Sequence, residues 1–371
     1  MPRLWGANLS REELLRRVGQ LSQVAGVRLV ELADGLGRGV RLLEFRTGTG
    51  LSFDVLVDRA FDIGRCELGG RNLTWTSGPG VVGPWYYETD DWGWFRAWGG
   101  GLLVTCGLDH TMNPARDSAA AFHQPHMFET VRYPLHGRVG GLPARLVGYG
   151  ETWEDDDTCL LWAEGEVRQS SVFLENLVLR RRIEARVGEN SIHVHDEVVN
   201  AGHSATSHML IYHCNLGYPL VDAGSEIVIS SAGVTTDPWQ DLPGYTTLTG
   251  PTPAFQEACF YESVIPDATG TVRTGLVNRR LGLGLSQTFA IGQLSAFMVW
   301  RMMGEGTYAV ALEPGTNRAV PRDTLRQSGE LTVLSPGEGR SYDLKLAALD
   351  GEAEIEGFAA AVAAIGAGDH G

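Results

Sequence analysis

Three short segments of this chain combine residue types that move protons on, or grip, a polyhydroxylated molecule. The first is Tyr212-His213-Cys214-Asn215-Leu216-Gly217-Tyr218-Pro219. Side chains alternate along an extended chain, so a strand here sets Met209, Ile211, His213 and Asn215 on one face, with Gly217 and Pro219 turning the chain afterwards. An imidazole in that place is a proton donor or acceptor near neutral pH. A half-buried histidine bonded to a backbone carbonyl would read the same way. The second segment, Leu312-Glu313-Pro314-Gly315-Thr316-Asn317, follows the apolar run Tyr308-Ala309-Val310-Ala311. Pro314 and Gly315 end that strand and leave Glu313 at its terminus. A carboxylate there is a general base if it faces a cleft and an ordinary surface charge if it faces water. The third pairs Pro134-Leu135-His136-Gly137-Arg138 with Arg59-Ala60-Phe61-Asp62-Ile63-Gly64. Its His, Arg and Asp groups supply the donors and acceptors that hydroxyls need, although Arg59 and Asp62 could equally pair with each other.

Two other patterns compete with these. His193, His195 and Glu197 in Ile192-His193-Val194-His195-Asp196-Glu197 share one face of a strand, at the spacing of a cupin-type metal site. Such a site needs a further histidine on a later strand, and the exposed face of any antiparallel sheet alternates polar residues in the same way. The expectation is therefore no metal. A second pair, His123-Gln124-Pro125-His126, is interrupted by Pro125. Five of the ten tryptophans, Trp75, Trp85, Trp92, Trp94 and Trp98, cluster with Tyr86 and Tyr87 in one Gly-rich stretch. Their rings either stack on the apolar face of a pyranose or fill core volume, and packing carries the greater weight. Nucleotide-binding glycine motifs and a GxSxG nucleophile elbow are missing, which argues against nucleotide cofactors and serine-hydrolase chemistry.

The elements that must position these groups read as strands. Leu51, Phe53, Val55 and Val57 alternate with more polar neighbours. Turn signals such as Gly69-Gly70, Ser77-Gly78-Pro79-Gly80, Gly188-Glu189-Asn190 and Asn200-Ala201-Gly202 recur between apolar runs. With 48 glycines and only 20% charged residues, the composition suits many short strands. The exception is a capping box at Ser10-Arg11-Glu12-Glu13, which predicts a short helix to about Leu21. The expected architecture is all-β, a large antiparallel β-sandwich with that N-terminal helix. The 371 residues form one domain, with residues 1–25 as a helical segment and 352–371 as an Ala/Gly-rich tail, either a rim helix or a frayed end. A formal charge of -15 argues against nucleic acid. No apolar run approaches the length of a membrane span or a signal peptide, and five scattered cysteines without a CxxC pair suit free thiols, so the chain is expected in the cytoplasm.

Seven stretches carry a resemblance over nearly the whole chain: Gly19-Gln20-Leu21-Ser22-Gln23, Asp58-Arg59-Ala60-Phe61-Asp62-Ile63, Gly100-Gly101-Leu102-Leu103-Val104-Thr105-Cys106-Gly107-Leu108, Leu135-His136-Gly137-Arg138, Tyr212 to Pro219, Leu312-Glu313-Pro314 and Leu334-Ser335-Pro336-Gly337-Glu338. In this order they resemble the aldose 1-epimerase (galactose mutarotase-like) superfamily, and in particular its DUF4432 branch. The resemblance implies a β-sandwich with a carbohydrate cleft across one sheet and no cofactor. It implies His213 as acid, Glu313 as base and His136 as a sugar-binding group. Asn215 follows His213 sooner than the Asn of the family's H-x-x-x-N-L motif. Arg59, Asp62, Asn215 and Asn317 are the further candidates for holding the sugar. The implied activity is aldose 1-epimerase chemistry. The alternatives are an isomerase or epimerase of an unusual sugar, sugar acid or keto-sugar, and a carbohydrate-binding protein without catalysis. The sugar and the oligomeric state stay open.

Overall fold

A computed structural model describes residues 2–122, 129–155, 157–237 and 244–367. Three antiparallel sheets dominate it. Gly26–Glu31, Arg41–Arg46, Leu51–Leu56, Asp62–Leu68 and Arg71–Asn72 form a five-stranded meander in chain order. The eight-stranded sheet runs Arg145–Trp153, Cys159–Ser170, Asn176–Arg186, Ser191–Asn200, Gly339–Asp350, Leu283–Ala290, Thr271–Asn278, Glu226–Ile229. The seven-stranded sheet runs Ser231–Thr236, Ala258–Val264, Ala296–Gly304, Thr307–Gly315, Thr206–Gly217, Thr332–Leu334, with Val104–Leu108 also paired to Thr206–Gly217. The apolar faces of all three meet in one buried cluster that extends from Leu4 to Ala348. This is the antiparallel β-sandwich expected from the alternation and turn signals.

The punctuation residues act where the sequence placed them. Gly69 and Gly70, both at positive φ, close the hairpin from Asp62–Leu68 to Arg71–Asn72. Ser10 caps the N-terminal helix through Glu13 N–H, and Glu13 reciprocates to Ser10 N–H. That helix is only Arg11–Leu15, shorter than expected, because Gly19 weakens helix continuation and Gln20 is extended before a separate 3-10 turn at Leu21–Gln23. The tail is a helix, Glu352–Ala367, that packs rather than frays: Ile355 and Val362 are buried. No helix among the described residues is long and apolar enough to cross a membrane.

Candidate active site

The Thr206–Gly217 strand is buried along its whole length, and its two faces meet different surroundings. Leu210, Tyr212, Cys214 and Leu216 enter the main core. Ile211 joins a second, aromatic cluster on the opposite face with Trp75, Trp94, Trp98 and Trp300, and the His213 ring lies against the last three of these. The neighbouring strand Thr307–Gly315 repeats the division: Val310 and Leu312 face the core while Ala309 and Ala311 face the tryptophans. Alternation then carries Glu313 to the same face as His213. His213 Nε2 and Glu313 Oε1 stand 3.4 Å apart. The small side chains of Ala309 and Ala311 leave the depth that the indole rings fill.

His136 arrives from a loop. Its backbone sits at φ 57, a left-handed conformation uncommon outside glycine, and is held there by His136 N–H to Met112 O and Gly107 N–H to His136 O. Gly137 beside it has no substitute, since a Cβ would stand 2.1 Å from Gly107 O. The His136 ring lies edge-on to His213 with centroids 5.6 Å apart, and 4.7 Å from Trp94. Trp98 contacts His213 at 5.1 Å and Trp300 does so at 5.9 Å. Indole rings thus lie against both histidines.

Burial sets the electrostatics. His213 and Glu313 are only 3% and 2% exposed. Burial lowers His213 to about 3, pushes His136 well below the ordinary imidazole range with the neighbouring His213 adding to the effect, and pushes Glu313 well above the ordinary carboxyl range. Among the described residues, both Glu313 oxygens and the Nδ1 atoms of His213 and His136 have no hydrogen-bond partner. A buried unpartnered polar atom costs about 1–3 kcal/mol. Four of them converge here.

A cleft of about 570 Å³ is lined by Glu313 together with Met112, Tyr261, Met298, Asn317 and Arg318 among others. Asn317 therefore lies on the cleft, its amide reaching Thr111 Oγ1 at 3.3 Å. Asn215 staples the site from behind, donating to Gly101 O at 3.0 Å and His213 O at 2.9 Å. Arg59 and Asp62 are placed differently. The Arg59 guanidinium donates to the carbonyls of Gly140, Val82 and Ala97, which ties down the tryptophan segment. Asp62 binds Arg181 and Thr105 inside the sandwich. Both line a separate cavity of about 250 Å³ that Trp98 borders, and they brace the site rather than face its cleft.

The metal alternative does not assemble. His195 pairs with Asp343 at 2.6 Å and Glu197 with Arg180 at 3.0 Å, on the outer face of the eight-stranded sheet. Among the described residues no group of three or more His, Cys, Asp or Glu could hold a metal ion. The His123–His126 pair lies outside the described residues. Of the clustered tryptophans, Trp75, Trp94 and Trp98 wall the site, whereas Trp85 and Trp92 are exposed.

Sequence reading missed three contributors. Trp300 could have been found from its slot in the alternation Met298, Trp300, Met302. Its partner Glu257, which accepts the indole N–H at 3.0 Å, had no local signal. His110, which adds to the lowering of His136 and has Nε2 2.9 Å from Asn113 O, follows the Gly107-Leu108-Asp109 stretch without a pattern to mark it.

Residues 37–348 match the family described as a domain of unknown function, DUF4432. Among solved structures, a protein of Klebsiella pneumoniae provisionally named an aldose 1-epimerase is 23% identical with a TM-score of 0.82, over 96% of this chain and 91% of that one. A galactose mutarotase-like protein of Clostridium acetobutylicum is 14% identical with a TM-score of 0.60, over 87% and 98% of the two chains. A galactose 1-epimerase of Lactobacillus acidophilus is 15% identical with a TM-score of 0.54, over 88% and 99%. At these identities the likeness is one of fold. No curated protein matches the sequence.

Proposed function

We propose, from the premise that this chain belongs to the DUF4432 family and has the galactose mutarotase-like fold, that it is a sugar 1-epimerase working through His213 and Glu313. One observation carries the reading: an acid and a base on adjacent strands, 3.4 Å apart, hold unpartnered polar atoms between indole rings that lie against His213 and a cleft that Glu313 lines. Glu313 removes the anomeric hydroxyl proton while His213 protonates the ring oxygen. The C1–O5 bond opens to the aldehyde, the C1–C2 bond rotates, and the reverse steps close the other anomer. His136 and Asn317 hold hydroxyls. The chemistry needs no cofactor.

Burial disfavours the charged form of each group, lowering His213 to about 3 and pushing Glu313 well above the ordinary carboxyl range. A bound sugar supplies what they lack. Hydroxyls donating to Glu313 stabilise its anion, and a ring oxygen accepting from His213 stabilises its cation, so ionisation accompanies binding. The whole of residues 1–371 serves this as one carbohydrate-binding domain. Cys66, Cys106, Cys159, Cys214 and Cys259 are free thiols, which suits the reducing cytoplasm.

The test is NMR saturation transfer between anomers over a panel of aldoses and uronic acids, comparing wild type with Glu313→Gln. Enzyme-dependent exchange that disappears in the variant supports the reading. Absence of exchange on every sugar, or exchange unaffected by the substitution, defeats it.

A further inference from the structure

Glu257 immediately precedes the Ala258–Val264 strand and is exposed. The indole N–H it accepts belongs to Trp300, which is buried on Ala296–Gly304 opposite Ala311, two residues from Glu313. That indole stands edge to face against His213, and it also packs on Trp98 at 5.6 Å and Trp75 at 6.1 Å. The neighbouring Trp98 has an unpartnered Nε1, whereas the Trp300 indole reaches a carboxylate at the surface. We infer that Glu257 is a positioning residue for the His213–Glu313 pair: through Trp300 it fixes the wall against His213, and it places a negative charge within electrostatic reach of Glu313. The inference rests on the acid–base reading of that pair.

Several ionisable groups around Glu313 are uncharged or paired. His213 from the Thr206–Gly217 strand is uncharged at neutral pH, being pushed down by burial. Cys106 from Val104–Leu108, Cys214 behind the sheet, and Cys259 and Tyr261 from Ala258–Val264 are all pushed up by burial and remain protonated. Arg318 on the cleft is committed to Glu330 through two bonds of 2.8 and 2.7 Å. Asp237 raises Cys259 and Tyr261. After burial itself, Glu257 is the cause that holds Glu313 up. The same carboxylate thus aligns the aromatic wall and favours the protonated form of the base.

Three variants separate the two roles. Glu257→Gln keeps an acceptor for the indole and removes the charge, Glu257→Ala removes both, and Trp300→Phe removes the donor. The readout is heteronuclear NMR of the full chain, following the Glu313 carboxyl carbon through a pH titration and the Trp300 indole N–H resonance. Glu313→Gln and Trp300→Phe provide the assignments. The expected result is a Glu313 titration moved to lower pH by about half a unit in both Glu257 variants, with the indole resonance kept in Glu257→Gln and displaced in Glu257→Ala. Where anomer exchange is measurable, Glu257→Ala loses about tenfold in kcat and Glu257→Gln recovers most of it. A Glu313 titration that superimposes on wild type, or an indole resonance unmoved in Glu257→Ala, overturns the inference. The NMR signals need no turnover, so failure of the acid–base reading would show separately as absent anomer exchange with the titration shift intact.

Discussion

Two consecutive residues of one strand, Tyr212 and His213, lead into two buried polar clusters treated in opposite ways. Behind the sheet, the Tyr212 hydroxyl donates to Asp196 at 2.7 Å, Arg181 binds both Asp196 oxygens at 2.8 and 2.6 Å and Asp62 at 2.8 Å, and Thr105 N–H donates to Asp62 at 3.0 Å. None of these side-chain atoms is without a partner. In front of the sheet, His213 and Glu313 are as deeply buried and His136 is half-buried, yet four of their polar atoms are unpartnered among the described residues. A buried ionic network is tolerated when attraction and hydrogen bonds offset desolvation. Among the described residues the front cluster lacks that compensation, which is what a site completed by a ligand's hydroxyls requires. Partnering, rather than burial or charge, separates scaffold from chemistry.

Breaking the rear cluster gives the largest stability effect. Arg181→Ala leaves Asp62 and Asp196 without their cation and should lower unfolding free energy by about 3–5 kcal/mol in urea titration. A loss below about 1 kcal/mol would mean the network is dispensable and the contrast fails.

The pH dependence of stability comes next, and it joins the clusters instead of separating them. His208, held between Leu108 O and the Tyr342 hydroxyl at 2.8 Å each, is lowered to about 4, as is His110, while His213 is lowered to about 3. Each binds its proton less readily when folded than when unfolded. Stability is therefore fully present above about pH 6.5 and falls below it, by about 1.4 kcal/mol per pH unit for each histidine, until the folded values are reached near pH 4 to 3. His208→Gln should flatten the acid side of a stability-against-pH curve by about one histidine's slope. An unchanged curve would contradict its buried neutral state.

Tyr212→Phe removes one donor from Asp196 and should cost about 1–3 kcal/mol of stability while leaving anomer exchange in place, since its side chain faces away from the site. His136→Asn keeps a residue that tolerates positive φ, so it should fold, and should raise KM about tenfold, the equivalent of one hydrogen bond of about 1.4 kcal/mol. Stability assays and exchange kinetics on the same two proteins would show whether damage stays on its own side of the sheet.

Much of the front cluster was legible because its signals are local. His213 and Glu313 sit at predictable places in alternating strands, and turn residues mark where those strands end. The status of Arg59 and Asp62 was not legible, because their partners come from distant segments: Asp62 meets Thr105 and Arg181, and Arg59 meets Val82, Ala97 and Gly140. The rear cluster did leave a trace. Arg181 occupies an inward slot among Leu177, Leu179, Ile183 and Ala185, and Asp196 does so among Ile192, Val194 and Val198, directly across the register. A charge in an apolar slot announces a buried pair. His193, His195 and Glu197 show the converse limit, since a ligand set and an exposed sheet face share a period of two, and only the cross-strand neighbours distinguish them.

The central claim is that Glu313 is kept for a ligand and not for the fold. Urea unfolding of Glu313→Gln tests it most directly, because the substitution replaces a buried, unpartnered carboxyl with a neutral group of nearly the same shape. The account predicts stability equal to wild type or higher by up to about 1 kcal/mol. A loss of about 3 kcal/mol or more, comparable with Arg181→Ala, would mean that Glu313 is a structural residue and that the front cluster is scaffold as well.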